Sequence, residues 1–293
     1  MKFTASLIAA AASALAFIST GCAVTESVSV QSIESTSPVA ALPIRITDDA
    51  KAHRITISPH ASWPSRRRIT GLLELNEPSA WRSAPRDTAR LLWNVPAMSG
   101  GVDVDYLLSD HAALAFGLGL SSLGSHTYGA WTAGFGLFNE KEHGAVRFDF
   151  GIHSTPVLYS AVSRVIRSEK GSPADTTYCC DEGEDSHINL FGALTLNTTR
   201  KTWPVNLFFH ASVTKQRLID NIPSNALLIF SDETGMRRVT SSHWMIGLTP
   251  GVIMSLMEDV RILVGERIMY PFDIMEESPY PLLQFHMQID ISI

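Results

Sequence analysis

The 293-residue chain has only three cysteines, Cys22, Cys179 and Cys180, too few and too scattered to staple a small fold with disulfides. Charged residues are just 18% of it and the formal net charge is −6, which excludes a protein that grips nucleic acid through phosphate contacts. No amphipathic helical period runs for more than a few turns. The apolar stretch from Leu7 to Ile18 falls short of the roughly 20 residues that a membrane-spanning helix needs. No glycine-rich loop follows a strand and opens a helix, so a nucleotide site has no support. Apolar residues are plentiful at 45%, which excludes a disordered polymer.

What is present begins with a basic start at Lys2, an apolar middle and a small-residue exit at Ser19-Thr20-Gly21, the layout of a secretory signal. The segment Ile18-Ser19-Thr20-Gly21-Cys22 resembles the lipobox of bacterial lipoproteins, with Ser19 where that family usually has Leu. The resemblance implies that residues 1–21 are removed and that Cys22 carries a diacylglyceryl anchor. It also implies outer-membrane sorting, since Ala23 rather than Asp follows the cysteine. Residues 22–50 are rich in Ser, Thr and Val, with Pro38 and Pro43, and read as a tether; Ile44-Arg45-Ile46-Thr47 could pair as a short strand. The folded body is expected over 51–293.

In that body apolar and polar residues alternate with period two. Ala112, Leu114, Phe116, Leu118 and Leu120 share one face, as do Val205, Leu207, Phe209, Ala211 and Val213, and Phe285, Met287, Ile289, Ile291 and Ile293. Similar stretches lie near 53–63, 101–108, 127–138, 144–154, 187–197, 242–256 and 259–268. About ten strands result, each close to the ~9–11 residues that a tilted strand needs to cross a bilayer. Short polar turns at Ser109-Asp110, 139–143, 198–202 and Met257-Glu258 alternate with long links at 64–97, 155–186, 215–241 and 269–281; 123–125 is the exception.

The polar face decides which way such a barrel is turned. All six lysines lie in the signal, tether, turns, loops or strand margins, whereas Gly117, Gly119, Gly134, Gly136, Gly151, Gly247, Gly251 and Gly265 occupy the polar parity. Glycine there suits a crowded interior and would weaken a wet outer face. Asp103, Asp105, Arg147, Asp149, Arg261, Arg267, His286 and Asp290 share that parity and form an expected lumen cluster of both signs. Tyr106, Tyr128, Trp131, Tyr159, Trp203, Trp244, Tyr270 and Tyr280 fall near strand ends, as interfacial girdles do. Against the pattern, Glu266 takes lipid-facing parity and is tolerable only at a rim, and Phe191, Phe208 and Leu263 face the lumen.

This pattern resembles Gram-negative outer-membrane β-barrel proteins, without a family-specific motif. The resemblance implies an all-β, antiparallel, up-and-down transmembrane barrel of about 10 strands, within a range of about 8–12. It places the short turns and both termini in the periplasm, the N-terminus held by its lipid. Outer-membrane lipids and the barrel assembly machinery are the implied partners, although the chain ends in Ile293 and not in the usual aromatic residue. Arg66-Arg67-Arg68 with Arg82, Arg86 and Arg90 make the first long link basic, suited to lipopolysaccharide phosphates or equally to a solvated loop.

Chemistry is harder to find, and no cofactor or metal is expected. Cys179 and Cys180 stand before an acidic run in a loop, where a disulfide is open and a metal site lacks good ligand spacing. Asp103-x-Asp105 and Asp185-x-His187 are similar to the acid and Asp–His pairs of omptin proteases, but lie on strand segments too far apart to serve one substrate. His60, His153 and His210 each stand near a serine, as in barrel lipid hydrolases, yet His153 and His210 have lumen parity and no orienting third group. A filled, narrow barrel suggests a structural, surface-binding or weakly conducting role. The alternatives are a barrel hydrolase acting on lipid or peptide, and a soluble periplasmic ligand-binding lipoprotein.

Overall fold

The computed structural model describes residues 24–39, 42–48, 51–74, 88–123, 126–169, 173–200, 203–223, 238–271, 274–275 and 281–293. The period-two segments form strands in chain order: β1 (Val24–Thr36), β2 (Ile55–Pro64), β3 (Arg68–Glu74), β4 (Thr88–Asn94), β5 (Ser99–Ser109), β6 (Ala112–Leu123) and β7 (His126–Lys141). They continue with β8 (Gly144–Glu169), β9 (Asp175–Thr198), β10 (Val205–Pro223), β11 (Arg238–Met257), β12 (Val260–Pro271), β13 (Ile274–Met275) and β14 (Leu282–Ser292). Ten of these, β2, β5 to β12 and β14, pair antiparallel with their sequence neighbours. The barrel closes where β14 pairs with β2, with Phe285 opposite Trp63 and Ile291 opposite Ile57. Closure removes every unpaired edge, the only way a sheet can satisfy its backbone inside hydrocarbon.

Side-chain burial shows which face is enclosed. Leu118 is 73% exposed, Phe116 56% and Leu207 56%, whereas Arg147, Gln288 and Asp103 are 1%, 1% and 3% exposed. The barrel is therefore apolar outside and polar within. In water, that continuous outer belt would far exceed the apolar patch of a few hundred Å² that soluble monomers expose. Hydrocarbon is the surround that it fits. Trp203 on the short-turn side, and Trp244 and Tyr270 at the other ends of their strands, are exposed where girdles were expected. Tyr159 is not among them; it packs against a buried cluster. Tyr280 lies outside the described residues. Glu266 is exposed in mid-strand opposite Phe285, not at a rim, and has no ion-pair partner among the described residues.

The two ends differ. At one, β5–β6, β7–β8, β9–β10 and β11–β12 are joined by short turns, and Ile55 and Ile293 exchange backbone hydrogen bonds of 3.1 and 2.8 Å. At the other, the expected loop 155–186 is largely extended strand, and so are the described parts of 215–241, residues 215–223 and 238–241. The β8–β9 hairpin is paired up to Arg167 opposite Asp175, and β10–β11 up to Pro223 opposite Arg238. The β6–β7 wall stops much lower, with Leu123 opposite His126. Alternation alone could not mark where these strands leave the bilayer, because the ladder continues beyond it.

Above the point where β7 ends, β1 takes its place along β8, from Thr36 opposite Leu158 to Val24 opposite Glu169. Strand β4 runs parallel to β1, β3 pairs antiparallel with β4, and β13 adds two residues to β3. This small sheet packs over the barrel mouth. Ile33, Leu91 and Trp93 from it share a buried cluster with Leu218, Met245, Met269 and Leu282, which come from β10, β11, β12 and β14. The link 64–97, expected to be a basic loop, either solvated or on lipopolysaccharide phosphates, thus supplies a hairpin of this cap; Arg82 and Arg86 lie outside the described residues.

Candidate functional site

The site is the lumen, and the chain itself occupies it. From Thr36 the backbone descends from the cap towards the short-turn end, where β2 begins. Over this stretch it has no strand beside it, so wall side chains satisfy its polar groups. Gln216 donates to the Ser37 hydroxyl and the Pro38 carbonyl at 3.2 Å each, and Trp93 to the Ser37 carbonyl at 3.1 Å. Arg267 donates to the Leu42 carbonyl at 2.6 Å and Gln288 to the Ile44 carbonyl at 2.7 Å. Asn197 accepts from the Thr47 amide at 3.2 Å and donates to the Thr47 carbonyl at 2.8 Å. Leu42 packs on Phe191 and Ala193, and Ile44 on Phe208, Ile253 and Leu263. Phe191, Phe208 and Leu263, the apolar exceptions of the lumen face, are therefore seats for this plug.

Below the cap the expected charges converge. Arg147 donates to both oxygens of Asp105 at 2.6 and 2.8 Å and through Nε to Asp149 at 3.0 Å. Arg45, from the plug, stands 3.6 Å from Asp103 and 3.7 Å from Asp149. His60 Nδ1 lies 2.9 Å from Asp103 Oδ2, close but misaligned for a hydrogen bond. Three carboxylates thus face two guanidiniums and an imidazole. Two glycines make the room: a Cβ on Gly136 would meet Arg147 Nη2 at 2.6 Å and Asp149 Oδ1 at 2.7 Å, and one on Gly117 would collide with Asp103 and Thr132.

The remaining predicted members stand apart from that cluster. Arg261 pairs with Asp48 of the plug at 3.1 Å. Asp290 accepts from Ser58 and Gln288 at 2.7 Å each. His286 shares a 2.8 Å hydrogen bond with Ser62, and Arg267 donates to the plug. Arg45, Asp48, Gln216 and Gln288 belong to the site and were not among the expected residues; His60 was singled out only for its neighbouring serine. One trace of them was visible, the alternation of Leu42, Ile44 and Ile46 within an otherwise Ser/Thr-rich stretch.

Two expectations are corrected by this path. Residues 22–50 are not a loose tether, because 24–36 form a strand and 42–48 are embedded in the lumen. Nor do the first described residues lie with the short turns: Val24 is at the end away from them, whereas Ile293 lies with them. A tether was inferred from composition, which cannot tell a solvated segment from one hydrogen-bonded by surrounding walls. Cys22, the expected lipid site, and the signal 1–21 lie outside the described residues.

Candidate catalytic groups gain little. His153 bonds Thr214 at 2.5 Å and His210 bonds Thr195 at 2.9 Å, both buried in the lumen. Ser62 and His286 are a nucleophile–base pair by type, but Ser62 is 2% exposed and His286 Nε2 faces the neutral Gln288 at 3.4 Å. Among the described residues no carboxylate orients that imidazole. The Asp103–Asp105 pair is deep in the barrel, while Asp185 and His187 pair with Val157 and Thr155 higher up β8. Cys179 and Cys180 are free and exposed on β9, where successive side chains point to opposite faces.

No family model and no curated protein matches the chain. Among solved structures it is similar to the translocator domain of the autotransporter NalP from Neisseria meningitidis, at 14% identity, covering 83% of this chain and 90% of that one, with a TM-score of 0.33. It is also similar to the outer membrane protein OprD from Pseudomonas aeruginosa, at 8% identity over 86% and 98% of the chains, TM-score 0.24. OmpT of Vibrio cholerae follows at 10% identity over 85% and 100%, TM-score 0.20. Scores this low add nothing to the topology already described.

Proposed function

We propose that the protein is an outer-membrane barrel that holds its own N-terminal strand at the cell surface and is closed to general diffusion. One observation carries this reading: the backbone threads the lumen from the capped mouth to the short-turn end, hydrogen-bonded to side chains of β9, β10, β12 and β14. Short turns face the periplasm in bacterial barrels, which puts β1, β3, β4 and the long hairpins outside. The role is then structural or surface-binding, with the cap as the exposed feature. Cleavage after Gly21 and lipidation of Cys22, two residues before Val24, would bring the acyl chains to the outer face. In this reading outer-membrane lipids and lipopolysaccharide surround the barrel, and the assembly machinery inserts it. The Ser62–His286 pair does not favour a hydrolase over this role.

The test is side-specific labelling. With Cys179→Ser and Cys180→Ser as background, Gln31→Cys, whose side chain is exposed, is treated in intact cells with a membrane-impermeant maleimide. Labelling before lysis is the expected result. Labelling only after the outer membrane is opened would overturn the assignment of sides.

A further inference from the structure

The plug does not fill the lumen evenly. It lies against the side formed by β9 to β12 and β14 and leaves a cavity of about 80 Å³ towards β2, β5, β6 and β7. Ser62, Ser99, Ser121, Thr132, His286 and Arg267 are among the residues around it. Several water molecules would fit, or one small solute.

Arg267 sets this cavity apart. It is 1% exposed, so its guanidinium is out of bulk water. The other lumen arginines have carboxylate partners: Arg147 with Asp105 and Asp149, Arg45 with Asp103 and Asp149, Arg261 with Asp48. Arg267 has none within 4 Å among the described residues. Its recorded partners are neutral, the Leu42 carbonyl at 2.6 Å and the Thr249 hydroxyl at 3.4 Å. A buried charge with no counter-charge in contact is expensive. The opposite wall carries a matching deficit, since the buried hydroxyl of Ser121 has no hydrogen-bond partner among the described residues. Small residues keep the space open: a Cβ on Gly119 would find nothing nearer than 3.6 Å. Access is available where the β6–β7 wall is lowest, and the lumen-facing Ser99, Gly119, Ala130 and Thr132 are only half-buried.

We infer that this cavity is a binding site for a small oxyanion, a carboxylate or phosphate group, held by the Arg267 guanidinium and the serine and threonine hydroxyls facing it. A planar guanidinium fork and several hydroxyl donors are the groups that such an anion uses best. The inference rests on the lumen geometry and stands whichever side of the membrane the cap faces.

Calorimetric titration of the detergent-folded full chain tests it, using sodium phosphate and sodium acetate separately at an ionic strength held constant with chloride. Saturable one-site binding of at least one anion is expected. Arg267→Gln should weaken it at least about tenfold, the scale of losing one charge-assisted hydrogen bond. Ala130→Leu, which fills the cavity and keeps every charge, should weaken it as much, and it carries the test if Arg267→Gln fails to fold. Phosphate binding without acetate binding would assign the site to phosphate, and the reverse to a carboxylate. Absence of saturable binding to either anion, or affinity unchanged by the cavity-filling variant, would overturn the inference.

Discussion

Arg147 shows how much of the interior depends on single residues. Its guanidinium engages two carboxylates and is 1% exposed. Removing it leaves Asp105 and Asp149 with far less compensation in a low-dielectric space. Arg147→Met should therefore lower stability by about 3–5 kcal/mol, the cost of breaking a buried pair from one side. Adding Asp105→Asn and Asp149→Asn should return much of that loss. Denaturant unfolding of the detergent-folded barrel measures both, and equal stability of Arg147→Met and wild type would contradict the cluster described. At this scale the sequence was informative. Parity alone placed Asp103, Asp105, Arg147 and Asp149 on one enclosed face. It could not show that Arg45 joins them, because alternation in a segment without a paired neighbour does not say what surrounds it. Glu266 is the opposite case: its outward direction was legible, its depth was not, since depth depends on strand tilt and stagger.

Among the elements, residues 37–48 have the most to answer for. The segment is held by wall side chains and by two apolar contacts, Leu42 on Phe191 and Ile44 on Phe208 and Leu263. Leu42→Ser combined with Ile44→Ser removes those contacts and leaves the barrel ladder untouched. In planar bilayers the wild type should show no sustained conductance and the double variant should show flickering open events. A quiet double variant would mean that the backbone hydrogen bonds from Arg267, Gln288 and Asn197 suffice to keep the lumen shut. The ten barrel strands were readable because each alternates for about ten residues. The cap was not: β3 and β4 have only 7 residues each, β1 is rich in serine and threonine, and their apolar residues match a partner that only the tertiary fold supplies, Ile33 and Trp93 meeting Leu218, Met245 and Leu282.

For the whole molecule, the inverted distribution of polarity predicts behaviour that needs no knowledge of a ligand. An unheated sample in a denaturing gel should migrate faster than a boiled one, because a closed ten-strand ladder resists detergent and stays compact. A chain lacking residues 1–21 and carrying Cys22→Ser should still require detergent to stay in solution. Solubility of that chain without detergent would contradict the outward placement of Leu118, Phe116 and Leu207. Fold class was accessible from sequence for the same reason that this prediction is possible: period two, glycine on the polar face and lysine at the margins are all consequences of one solvent arrangement. The position of β1 at the end away from the short turns was inaccessible, as alternation describes walls and says nothing about what runs between them.

The closure of β14 on β2 has a consequence for order in time. A wide sheet sits at one mouth and a continuous backbone passes through the ring, so the segment cannot be fed in after the ring is shut. The last seam must zip around a core already in position, and a backbone cut made afterwards between Asp48 and Lys51 would leave the upstream peptide held in the ring by hydrogen bonds and apolar contacts alone.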